Sequence, residues 1–218
     1  MREQLISDFE KHEVDTTRSL IDCMALPPSS SKFRRIIMLL LRGHFSNADN
    51  YGAEYEHMRC YTWNDGKSPS LHVGFTHLPD DKYPDNYPGV YVGFGGVVKS
   101  RVAIANDGGR TEDYSGSFIS KQNDLTLVIN HVAKEAGDAY DLADMSDMVL
   151  SAMGHPLLLQ SGALSCEVEG YSEPKKEVPS PDRYYTVAMR LKISYTHVVT
   201  RSVESHRIRR ISTLVTTS

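Results

Sequence analysis

Four aspartates, Asp138, Asp141, Asp144 and Asp147, recur at every third position of one segment. On a helix of 3.6 residues per turn such a row drifts by about 60° per step, so the carboxylates form a slanted stripe. Several carboxylates side by side can hold a hard cation such as Mg²⁺ and support hydrolysis, the chemistry of a metal-dependent hydrolase or nuclease. A solvated helix face, with the first two acids near the positive end of the helix, needs no chemistry and accounts for the same pattern. If subunits form a ring, the stripe could line an acidic channel that repels DNA phosphates, which makes these four aspartates channel-lining candidates.

Other chemistry is sparse. The nine histidines include His72 and His77, which flank one predicted strand, and His131, His155 and His197 elsewhere. No pair has the i, i+4 helical spacing with a neighbouring carboxylate that marks a familiar metal site. Gly93-Phe94-Gly95-Gly96 lacks the Lys-Ser/Thr of a phosphate loop and lies within a strand pattern, so its glycines predict a bulge or a sharp twist. The nucleophile-elbow pattern Gly-x-Ser-x-Gly is missing, and Tyr114-Ser115-Gly116-Ser117 reads as a serine-rich loop. No catalytic residue, metal ligand or cofactor is therefore assigned, and the chain is expected not to be an enzyme.

The C-terminal segment carries Arg201, His206, Arg207, Arg209 and Arg210 against a lone Glu204. Basic tails often touch nucleic acid or an acidic partner. The interleaved Val203, Ile208 and Ile211 favour instead a strand that packs on a neighbour, with Arg207, Arg209 and Arg210 as contact candidates.

The elements that would position these groups follow from periodicity. Leu5, Ile6 and Phe9 mark a short amphipathic N-terminal helix or arm, and residues 13–26 are compatible with its extension. Pro27-Pro28-Ser29-Ser30-Ser31 breaks the chain and offers a serine cap. Phe33 to Phe45 reads as a second helix, with Gly43 as its end signal, and its apolar residues nearly encircle it. Such a helix is either core or a subunit contact, which makes Phe33, Ile36, Ile37 and Leu40 oligomer-interface candidates. Strands are expected over Tyr55 to Trp63, Leu71 to His77 and Val90 to Val98, with a turn at Asn64-Asp65-Gly66 and loops at 79–88 and 106–109.

A further strand is expected over 117–133. Ala139, Leu142, Ala143, Ser146, Val149, Leu150 and Met153 then predict a helix over Gly137 to Met153, stopped by Gly154. Strands follow at Ala163 to Glu169 and Tyr184 to Val199. In the last, Tyr185, Val187, Met189, Leu191, Ile193 and Tyr195 face one way, opposite Arg190 and Lys192. The fold class is α+β: an antiparallel or mixed sheet with a long helix packed on one face, N-terminal helices and an extended C-terminal tail. We divide it into a helical arm (1–50), a core domain (51–200) and a tail (201–218).

At 218 residues, 40% hydrophobic and 24% charged, the chain can bury a core without disulfides or metals. A net charge of -4 argues against a protein that coats nucleic acid over its whole surface. Cys23, Cys60 and Cys166 lack Cys-x-x-Cys spacing and fit a reducing compartment. The apolar run Ile36 to Leu41 is too short to span a bilayer, so the expectation is a protein made in a cytoplasm, or carried in a particle assembled there, without a membrane partner.

The order of elements, with Tyr87-Pro88-Gly89-Val90-Tyr91-Val92, the strand Leu125 to His131 running into the Asp138 to Met153 helix, and the long closing strand, resembles the tail-terminator and neck proteins of tailed double-stranded DNA bacteriophages. The resemblance covers about residues 70–200. It implies a non-catalytic virion subunit that forms a hexameric ring at the head-tail junction. Such a ring caps the tail tube and sheath, contacts the head connector, and lets DNA pass without sequence-specific contact. Another neck, head-completion or sheath-initiating component belongs to the same class. The N-terminal helices and the C-terminal tail depart from the family pattern.

Overall fold

The structure, a computed structural model, describes residues 19–64, 70–75, 88–99, 116–176 and 184–202. The expectations for the first twelve residues, for the loop at 106–109 and for Arg207, Arg209 and Arg210 lie outside them. The chain is α+β. A helical stretch over residues 19–24 precedes α1 (Ser30–Phe45), which starts where Ser29 accepts a hydrogen bond from the Lys32 amide at 3.2 Å. After two 3-10 segments (Ala48–Asn50 and Ala53–Cys60) come β1 (His72–Phe75), β2 (Gly89–Lys99), β3 (Gly116–Ala133), α2 (Ala136–Val149), α3 (His155–Gln160), β4 (Ala163–Tyr171), β5 (Lys175–Lys176) and β6 (Tyr185–Ser202).

The sheet runs β1-β2-β3-β6-β4, with β5 pairing β6. It is mixed, because β1 and β2 are parallel while the other pairs are antiparallel. Its centre is the β3–β6 ladder, in register from Gly116↔Ser202 to Ala133↔Tyr185. Strict alternation puts Leu125, Leu127, Ile129 and His131 beside Ile193, Leu191, Met189 and Val187 on one buried face. On that face α1 packs over β1 and β2, and α2 packs over β3 and β6. Burial of this helix-on-sheet layer is the main stabilising term. The face bearing Arg190 and Lys192 is the more polar one, and both of these side chains are exposed.

Two sequence expectations are corrected. Tyr55 to Trp63 is not a strand: Tyr55 and Met58, three residues apart, are buried from a 3-10 segment that lies beside α2. The turn expected at Asn64-Asp65-Gly66 falls mostly outside the described residues; on either side of it the Leu71 amide donates to the Thr62 carbonyl at 3.0 Å, and β1 itself pairs with the parallel β2. Gly154 does not stop the helix. A π-helical turn (Leu150–Gly154) carries the chain from α2 straight into α3, and Gly154 serves packing, since a Cβ there would lie 3.4 Å from Leu40 Cδ2 and 3.2 Å from Leu150 Cδ2. The expected bulge in β2 is present, with a register shift between Phe94 and Gly96.

Candidate functional site

The four aspartates of α2 each hold a donor from the same chain. Asp138 Oδ2 accepts from the Tyr61 hydroxyl at 3.2 Å, and Asp141 Oδ2 lies 2.9 Å from His57 Nε2. Asp144 accepts twice, from the Tyr55 hydroxyl and, at 3.0 Å, from the Tyr171 hydroxyl. Asp147 accepts from Ser151 at 3.2 Å. Tyr55, His57 and Tyr61 all belong to the 3-10 segment or the residue after it, so the acidic stripe clasps this segment against α2. Burial, and then the hydrogen bond to Asp144, push the Tyr55 phenol up, so it stays a donor. For Tyr171 the hydrogen bond to Tyr140 leads, followed by burial.

The clasp limits what the stripe does. Its carboxylates are half-buried anchors rather than a row of free acids. Among the described residues no three His, Cys, Asp or Glu side chains converge as a metal site. Spacing revealed the stripe. Its partners carried no sequence signal, because Tyr55, Tyr61 and Tyr171 look like three of twelve scattered tyrosines.

Phe33, Ile36, Ile37 and Leu40 are all buried in the chain's own core. Phe33 meets Tyr195 of β6 edge-on, with ring centroids 5.1 Å apart. The expectation that these four form a subunit contact is therefore corrected: the helix is apolar nearly all round because the sheet, α2 and the π turn surround it. Polar groups share that interior. The Lys32 ammonium donates to the backbone carbonyls of Met24 (2.8 Å) and Ser161 (2.7 Å) and also to that of Leu26, tying the N-terminal stretch to the end of α3. Burial pulls its pKa below the ordinary lysine range.

His131 is fully buried, with Nε2 2.9 Å from Ser146 Oγ and Nδ1 3.3 Å from the Val187 carbonyl. Burial lowers its pKa to about 4, so the ring is neutral: Nδ1–H donates to Val187 and Nε2 accepts from Ser146. A serine beside a histidine has the outline of a nucleophile and base. Both groups are buried in the core, so the pair acts as a polar tie between β3, β6 and α2.

On the outer turn of α1, Arg34 adopts a different role. Its Nε donates to the Val92 carbonyl at 2.9 Å, and its guanidinium lies 4.2 Å from the Phe75 ring centroid and 4.6 Å from that of Phe94. No helix among the described residues is long and apolar enough to cross a membrane. The chain matches no protein-family model and no curated protein.

Proposed function

We propose that this chain is a structural virion protein of a tailed bacteriophage, a subunit of a ring at the head-tail junction. The ring ends the tail tube and sheath, meets the head connector and leaves a central passage for DNA. The observation that carries this reading is the element order. A strand opening directly after Pro88, a strand that runs into the aspartate-bearing helix and a long closing strand are the features on which the resemblance to tail-terminator and neck proteins rests, and all three occur in one sheet. The engaged state of the α2 carboxylates supports a structural use of that helix over a channel lining. Gold-labelled antibody on intact particles tests the assignment: label at the neck is the expected result, and label on the capsid shell, or none on purified particles, contradicts it.

A further inference from the structure

We infer that Arg34, with Phe75 and Phe94, is the anchor of a head-to-tail contact between copies of this chain, receiving a carboxylate from the β4 margin of the next subunit. The inference rests on the ring reading and names its interface. A guanidinium offers five N–H donors in a flat fork. In Arg34 one of them is fixed on the Val92 carbonyl, and the two phenyl rings hold the plane. The remaining donors have no hydrogen-bond or ion-pair partner among the described residues. Burial lowers the pKa of this group, and no acid among the described residues offsets that cost. A half-buried cation without a counter-ion is costly to maintain unless something supplies the charge.

The surroundings indicate what supplies it. Phe75 is 36% exposed, Phe94 48%, Val97 47% and Val98 67%. Phe75 and Phe94 flank Arg34, and Val97 follows along β2, which from Gly93 onward has no paired strand on its β1 side among the described residues. Arginine framed by exposed aromatic and aliphatic side chains is the composition of a protein–protein hot spot. An apolar rim of this kind fits an acidic protein surface better than the hydrated backbone of a nucleic acid.

The complement lies at the opposite margin of the same sheet. There β4 presents exposed Glu167, opposite Lys192 in the β4–β6 register, and exposed Glu169, neither with a hydrogen bond or ion pair among the described residues, along with Leu164 at 56% exposure. Two different complementary surfaces on one subunit make a heterologous contact, which repeats from copy to copy and closes into a ring if the rotation permits. Arg34 then forms a charge-assisted, forked hydrogen bond to a glutamate of the next copy, and Phe94 and Val97 cover its Leu164.

Sedimentation velocity of the purified chain over a concentration series tests this, with Arg34→Gln, Glu167→Lys/Glu169→Lys and the paired reversal Arg34→Glu with Glu167→Lys/Glu169→Lys. The inference expects association of the wild type, weakening by tenfold or more in each of the first two variants, and recovery in the paired reversal. The two glutamates lie on β4, on the far side of the sheet order from β1 and β2, so their variant reports on the interface even if Arg34→Gln disturbs α1. Variants that fold and associate as tightly as the wild type overturn the inference and leave the ring reading standing. A wild type that stays monomeric throughout overturns both.

Discussion

Acidification should expose the buried state of His131 directly. The ring is fully buried and neutral, and its pKa falls from 6.5 to about 4 on folding. The unfolded chain therefore binds a proton that the folded one refuses, and stability declines as pH falls through 6.5, with the full loss reached near 4. At about 1.4 kcal/mol per pH unit, His131 alone removes about 2 kcal/mol between pH 7 and pH 5 and about 3 kcal/mol in full. His131→Gln keeps a polar group of similar reach towards Ser146 and Val187 but cannot titrate. It should cost about 1–3 kcal/mol at pH 7, where one of the two buried hydrogen bonds is weakened. Urea unfolding of both proteins at pH 7, 6 and 5 gives the comparison. The variant's stability should depend less steeply on pH by about 1 kcal/mol per unit over that range. His44, also lowered to about 4 by burial, is present in both proteins and cancels. Parallel pH profiles for the two proteins would refute the assignment of His131 as a neutral core group.

Other perturbations test the ties between elements. Lys32→Met strips the donor from three carbonyls while removing a buried charge, and should destabilise by about 2–4 kcal/mol in urea unfolding. Tyr55→Phe leaves Asp144 with one phenol and should loosen the 3-10 segment by about 1 kcal/mol, seen as several-fold faster tryptic cleavage after the exposed Arg59. Gly162 has φ +96° and would place a Cβ 2.7 Å from Pro28 Cγ, so Gly162→Ala should lower the melting temperature by about 4–8 °C for a cost of about 2 kcal/mol.

The sheet was legible where side chains alternate without interruption. Val187 to Tyr195 and Leu125 to Ile129 lie on one buried face because a strand has period two, and any pairing of these strands that buries this face must use that pattern. The helix α2 was legible for the same reason at period 3.6. Misreadings arose where tertiary contacts overrode local signals. Tyr55 to Trp63 is rich in aromatics and resembles a strand, yet hydrogen bonds to Asp138 and Asp144 and burial of Met58 hold it as a 3-10 segment. Gly154 looks like a stop but is small because Leu40 and Leu150 press on it. The apolar girth of α1 was visible, whereas its covering by the chain's own sheet depends on long-range packing that no local pattern encodes. Of the site, the aspartate stripe was apparent in the sequence. The phenols that occupy it and the Arg34–Phe75–Phe94 cluster join residues distant along the chain, and spacing carries no trace of them.

The central claim, that this chain is a ring subunit, is tested most directly by electron microscopy of the purified protein at concentrations where it associates. The account predicts closed rings of uniform size with a central opening wide enough for duplex DNA. Monomers alone, or compact two-fold dimers without an opening, would contradict it.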